Sequence, residues 1–131
     1  MKVLALDYGS ARTGVAVSDP TGTIARPLGV VERAGTTAGL KRLVELIEGE
    51  RVDRVVVGMP LTMRGERGEQ ALETERFVET LRGALGCPVE TFDERFTTDL
   101  AAQTPSGAPE DARAAAHLLS SYLAWSSSVE A

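Results

Sequence analysis

Apolar residues fall along this chain in two rhythms, short unbroken runs and helical repeats, and the order in which these alternate predicts an architecture. Val3 to Tyr8 and Gly14 to Ser18 are apolar runs joined by a glycine-bearing turn, and they read as two strands. Ile24 to Val31 reads as a third; Pro27 within it cannot donate to a ladder, which marks an edge or an irregular stretch. Thr36-Thr37 supplies a helix cap, after which Leu40, Leu43, Val44 and Ile47 recur at i, i+3, i+4, i+7. Val52 to Val57 is a β-branched run bounded by Gly58 and Pro60, and reads as a buried parallel strand. A polar loop, Thr62 to Gly68, leads into a second helix over Glu69 to Leu85, with Ala71, Val78, Leu81 and Leu85 on one face and Gly86 as its stop. Pro88 to Asp93 is the last strand. A short helix from Thr98, a breaker stretch over Thr104 to Ala108 and a terminal helix from Pro109 to about Ala124 follow. Ala112, Ala115, Ala116, Leu119 and Leu123 would face inward from that helix, and Ser126 to Ala131 would fray.

The order β-β-β-α-β-α-β-α predicts an α/β fold, with a mixed sheet that opens antiparallel and continues by parallel crossovers. No repeat or long linker divides the 131 residues, so a single domain, 1–131, is expected. Two segments, the loop Thr62 to Gly68 and the stretch around Gly107, are rich in glycine and polar residues and poor in anchors, and are expected to be mobile.

Asp7 breaks the pattern. It stands where the first apolar run calls for a core residue, and a carboxylate there costs several kcal/mol, on the order of 2–7, unless it is paired or bound to a cation. Gly9 and Gly14 flank the turn that follows, where a backbone or a phosphate can approach closely. Asp93 and Glu94 end the last strand, where open α/β sheets place ligands. Asp111 sits in the first turn of the terminal helix among small residues. Oxygen ligands from several elements suit Mg²⁺ or Mn²⁺, and such ions serve phosphodiester chemistry.

Composition narrows the partners. A net charge of −5 argues against a nonspecific nucleic-acid coat protein but leaves room for a local patch. Cys87 is the single cysteine, so no intrachain disulfide forms, in keeping with a reducing cytoplasm. The first apolar run is too short for a signal peptide, and no stretch approaches a membrane span. Cys87 reads as inert packing and His117 as an exposed helical residue.

Asp7-Tyr8-Gly9-Ser10-Ala11-Arg12-Thr13-Gly14-Val15-Ala16 with Ser18-Asp19, Val57-Gly58-Met59-Pro60-Leu61, Asp93-Glu94-Arg95-Phe96-Thr97-Thr98, and Asp111 with Ala114-Ala115, Leu118-Leu119 and Tyr122-Leu123, taken in this order, resemble the YqgF/RuvX family. The match runs nearly end to end. The resemblance implies an RNase H-like fold, a five-stranded sheet with helices on both faces, and a divalent-metal nuclease using Mg²⁺ or Mn²⁺. The family is described both as Holliday junction resolvases and as nucleases maturing the 5′ end of 16S rRNA. The partner implied is therefore nucleic acid, either a four-way DNA junction or precursor rRNA, in the cytoplasm and away from membranes. A junction resolvase makes two symmetric cuts, which suits a homodimer.

Carried over by position, Asp7, Glu94 and Asp111 become the catalytic acids and metal ligands, with Asp93 as a further candidate ligand. Gly9, Arg12, Gly14, Arg64, Arg95, Thr97 and Thr98 become the substrate contacts. The chain departs from the family pattern at Ala11, where a lysine is usual, and over Gln103 to Glu110, which holds no Lys or Arg where a basic segment is usual. Both departures bear on nucleic-acid affinity and substrate choice.

Two other readings compete. A catalytically silent RNase H-like interaction module would not need all three acids. The actin, Hsp70 and sugar-kinase group opens with a similar Asp-x-Gly hairpin, but clamps ATP between two copies of the fold, and 131 residues supply one.

Overall fold

The computed structural model describes residues 1–96 and 108–130. The short helix expected from Thr98, the candidate contacts Thr97 and Thr98, and the stretch from Thr104 through Gly107 lie outside the described residues. Five strands form one sheet: β1 (Val3–Asp7), β2 (Arg12–Ser18), β3 (Ala25–Glu32), β4 (Arg54–Met59) and β5 (Val89–Asp93), in the order β3-β2-β1-β4-β5. The first three pair antiparallel, and β1, β4 and β5 run parallel, as the connection lengths predict. Pro27 lies on β3, an edge strand, beside a register shift at Val15/Ala16, where a missing donor does least harm.

Helices cover both faces. Leu4, Leu6, Val15, Val17, Val55 and Val57 pack under α1 (Thr37–Glu50) and α2 (Glu69–Ala84) through Leu43, Ile47, Phe77, Val78 and Leu81. Val3, Ala5, Ala16, Val56 and Phe92 pack under α3 (Glu110–Glu130) through Ala115, Leu118, Leu119 and Tyr122. Strand alternation thus buries both sides of β1, β2 and β4, which is why these strands read as continuous apolar runs. Thr36 caps α1 by accepting from the Gly39 amide at 3.1 Å.

The contact between α3 and β2 fixes the working end of the sheet. A Cβ on Gly14 would lie 1.8 Å from the Asp111 carbonyl oxygen, so only glycine lets the first turn of α3 cross β2 here. Gly14 is the register partner of Asp7, so the same crossing sets Asp111 beside the end of β1.

Two expectations need correction. The terminal helix continues to Glu130 rather than ending near Ala124, because no glycine or proline stops it and the serines at 126–128 remain helical. His117 is half-buried rather than exposed. The loop Thr62 to Gly68 carries its own anchors: the Gly65 amide donates to the Thr62 carbonyl at 2.8 Å, the Thr62 amide to the Glu66 carbonyl at 3.0 Å, and the Glu66 amide to Thr62 Oγ1 at 3.0 Å. Gly65, at φ 80°, supplies the left-handed step that closes this loop.

Candidate active site

Asp7 ends β1 and continues the Val3, Ala5 face, the one that α3 covers. Glu94 follows β5 directly, in a single 3₁₀ turn over Glu94–Phe96. Strand β4 lies between β1 and β5, so Glu94 must reach across it to meet Asp7. It does so over Gly58: a Cβ there would lie 2.7 Å from Glu94 Oε1. The side chains of Asp7 and Glu94 are hydrogen-bonded to each other.

Two carboxyls can share a hydrogen bond only if one is protonated. Burial lifts the Asp7 carboxyl, the bond from Glu94 works against this, and the negative charge of Asp111 adds to it. Burial pushes Glu94 up to about 7, reinforced by the charge of Asp7, by their hydrogen bond and by Asp93. Burial and mutual charge thus hold both carboxyls above their ordinary values.

The other candidate acids are disposed differently. Asp93 is clasped by Arg95: Oδ1 accepts from the Arg95 amide at 2.9 Å, and Oδ2 accepts from Nε at 2.9 Å and from Nη2 at 2.6 Å. The guanidinium holds the Asp93 carboxyl below its ordinary range, while the Asp93 charge still acts on Glu94. Asp111 Oδ2 lies 3.0 Å from Arg12 Nε. Asp111 also acts on Asp7 through its negative charge.

Arg12 and Arg95, both expected to meet phosphate, are engaged by acids of the chain. Arg64 is exposed in its loop and makes no ion pair among the described residues. Gly9 closes the turn, since a Cβ there would lie 2.5 Å from the Arg12 carbonyl oxygen, and its backbone lines the cavity at the carboxylate pair. Gly14 lies at the α3 crossing, its Cα against the Asp111 backbone.

That cavity, about 130 Å³, is lined by Asp7, Tyr8, Glu94 and, from α2, by Gln70, Glu73 and Thr74. Sequence reasoning missed this α2 wall. Its trace is there to be read: residues 70, 73, 74 and 77 follow helical spacing directly after the loop at the carboxyl end of β4.

Among the described residues no three His, Cys, Asp or Glu side chains close tightly enough to hold a metal ion by themselves. Two oxygen donors from different elements, β1 and the turn after β5, with no cationic partner among the described residues, still fit Mg²⁺ or Mn²⁺. Such ions take one or two protein carboxylates and complete their shell with water and substrate phosphate.

Fold and site together define an RNase H-like architecture. The structure of T. thermophilus RuvC in complex with a Holliday junction substrate superposes with a TM-score of 0.71 at 18% identity, covering 100% of this chain and 98% of that one. The family described as RuvX, Holliday junction resolvase, matches residues 1–125, and the chain belongs to it. A Chloroflexus aurantiacus protein, described as a candidate pre-16S rRNA nuclease, is 50% identical over 101 residues, which cover 77% of this chain and 66% of that protein's length. A Syntrophomonas wolfei protein of the same description is 36% identical over 132 residues and 94% of each chain. Among the described residues no helix is long and apolar enough to cross a membrane.

Proposed function

We propose that this chain is a divalent-metal-dependent endonuclease that hydrolyses phosphodiester bonds in structured nucleic acid, with Asp7 and Glu94 as the ligands around which cleavage is organised. The observation that carries this reading is the hydrogen-bonded carboxylate pair at the carboxyl end of the sheet, partly buried and, among the described residues, without an arginine or lysine partner. Bound Mg²⁺ or Mn²⁺ would supply a Lewis acid for the phosphate and a lowered pKa for an attacking water. The chain's own residues prepare that chemistry. Gly58 leaves the space through which Glu94 reaches Asp7, and Gly14 sets the first turn of α3 close by. Arg12 keeps Asp111 near the pair until a cation or substrate draws it in. Arg64, exposed on its loop, would meet a neighbouring phosphate.

The descriptions of the relatives favour precursor 16S rRNA as the substrate. The family description names four-way DNA junctions instead, which require a two-fold dimer for paired cuts. A side-by-side cleavage assay of a precursor rRNA fragment and a four-way junction, with solution mass measured on the same sample, tests this. Faster cleavage of the rRNA by a monomer is expected. Paired symmetric cuts in the junction by a dimer would overturn the rRNA assignment, and no metal-dependent cleavage of either would overturn the nuclease reading.

A further inference from the structure

The cavity at the carboxylate pair has a neighbour. A second cavity, about 250 Å³, lies on the sheet face covered by α1 and α2, lined by Tyr8, Ala34, Gly35, Glu73, Arg76 and Phe77. Tyr8 and Glu73 line both cavities, so a strand whose phosphate meets Asp7 has a recess one residue away for an adjoining base.

The recess is shaped for something flat. The Tyr8 ring stacks on Phe77 with centroids 4.1 Å apart and planes 18° from parallel, a rigid aromatic wall. Gly35 packs its backbone against the Tyr8 hydroxyl at the edge of the recess, where a Cβ would come within 2.8 Å of that oxygen. Its polar groups come from one stripe of α2. Glu73 and Arg76 stand three residues apart and turn into the same space. Neighbouring Glu75 pairs with Arg67 at 3.1 Å, whereas Glu73 and Arg76 form no ion pair among the described residues. An acceptor and a donor thus stand at the rim with their capacity unspent.

We propose that this cavity takes up an unpaired guanine base from the nucleotide beside the scissile phosphate. The Glu73 carboxylate accepts from the guanine N1–H and N2–H, Arg76 donates to O6, and the ring lies against Tyr8. Guanine is the base that offers two adjacent donors to one carboxylate together with a neighbouring acceptor; adenine, cytosine and uracil each offer the carboxylate one donor. The site selects a substrate class in which a guanosine next to the cut is single-stranded or flipped out of its stack, and it disfavours continuous duplex. This inference rests on the nuclease reading only for the position of the neighbouring phosphate.

The test uses Asp7→Asn protein without added metal, binding uridine decamers that carry one central guanosine, inosine or abasic site, read by fluorescence anisotropy. Guanosine is expected to bind about tenfold more tightly than inosine, which differs by the single 2-amino donor, with the abasic strand weakest. Adding Glu73→Gln should bring the guanosine-to-inosine ratio to about one while the melting temperature stays unchanged. Equal binding of guanosine and inosine by the Asp7→Asn protein overturns the proposal, as does a guanosine preference that survives Glu73→Gln. Wild-type cleavage of the same strands separates the two readings. A guanosine preference without cleavage defeats the nuclease and keeps the base site, whereas cleavage without base preference does the reverse.

Discussion

The acids at the carboxyl end of the sheet form an inner pair, Asp7 and Glu94, and an outer pair, Asp93 and Asp111, and the two are neutralised in different ways. Each outer acid has its own arginine, Arg95 for Asp93 and Arg12 for Asp111. The inner acids are more buried, face each other and are held together by a proton, with the Glu94 pKa near 7. An arginine could have been placed beside the inner pair, as it was twice within a few residues. Burial makes unpaired charge there expensive, so the inner site is left to a proton or to a cation from outside. The contrast separates acids that build the site from acids that await a ligand.

Collapsing the geometry that keeps the two pairs together should have the largest effect. Gly14→Ala puts a methyl group 1.8 Å from the Asp111 carbonyl oxygen, so the first turn of α3 must move. The expected cost is about 3 kcal/mol or more in urea unfolding, with cleavage lost as Asp111 is displaced. Unchanged stability would mean that the crossing is not fixed as described.

Next comes the exchange of inner for outer acids. Glu94→Gln should cut metal-dependent cleavage by at least about a hundredfold, and Asp93→Asn by less than about tenfold. Their pH signatures should have opposite signs. The Glu94 pKa is raised by folding, so its penalty is absent below about 4.5, grows as pH rises, and is complete above about 7. Glu94→Gln should therefore stabilise the metal-free protein above pH 7 and have little such effect near pH 4. The Asp93 pKa is lowered by folding, so its contribution is present above the ordinary value of 3.8 and is lost as pH falls through the folded value. Melting curves of both variants from pH 3 to pH 8 check this, and parallel profiles would erase the distinction between the pairs.

Much of this division was legible in the sequence, and the limits are instructive. Asp7 announces itself because it interrupts an apolar strand. Asp93 and Glu94 cannot be told apart in the same way, since adjacent acids at a strand end look alike. The choice between them depends on Gly58, on a different strand, and on a local clasp by Arg95. The Arg12–Asp111 pair spans most of the chain and has no local signal. The strands and the first two helices follow from periodicity, but the length of α3 does not, because a serine-rich end looks the same frayed or helical. The α2 wall of the site was passed over because its polar residues share a helix face with core positions 77 and 81, which dominate the pattern.

The smallest expected effect concerns the arginines. If the outer arginines are committed to acids, Arg64→Ala should lower the slope of log affinity against log salt by about 0.9, one phosphate's worth, in filter-binding titrations with duplex DNA. Arg12→Ala should change it by less than half as much. The reverse ranking would make Arg12 the phosphate contact and Asp111 its resting partner.

The most direct measurement compares Asp7→Asn with wild-type protein on one preparation, reading melting temperature and cleavage rate with and without Mn²⁺. Removing one carboxylate from the inner pair relieves repulsion and deletes a ligand. The expected result is no cleavage, a metal-free melting temperature equal to or above wild type, and loss of the rise that Mn²⁺ gives the wild type. A variant that melts lower, still cleaves in proportion to folded protein and still gains stability from Mn²⁺ would contradict the assignment of the inner pair.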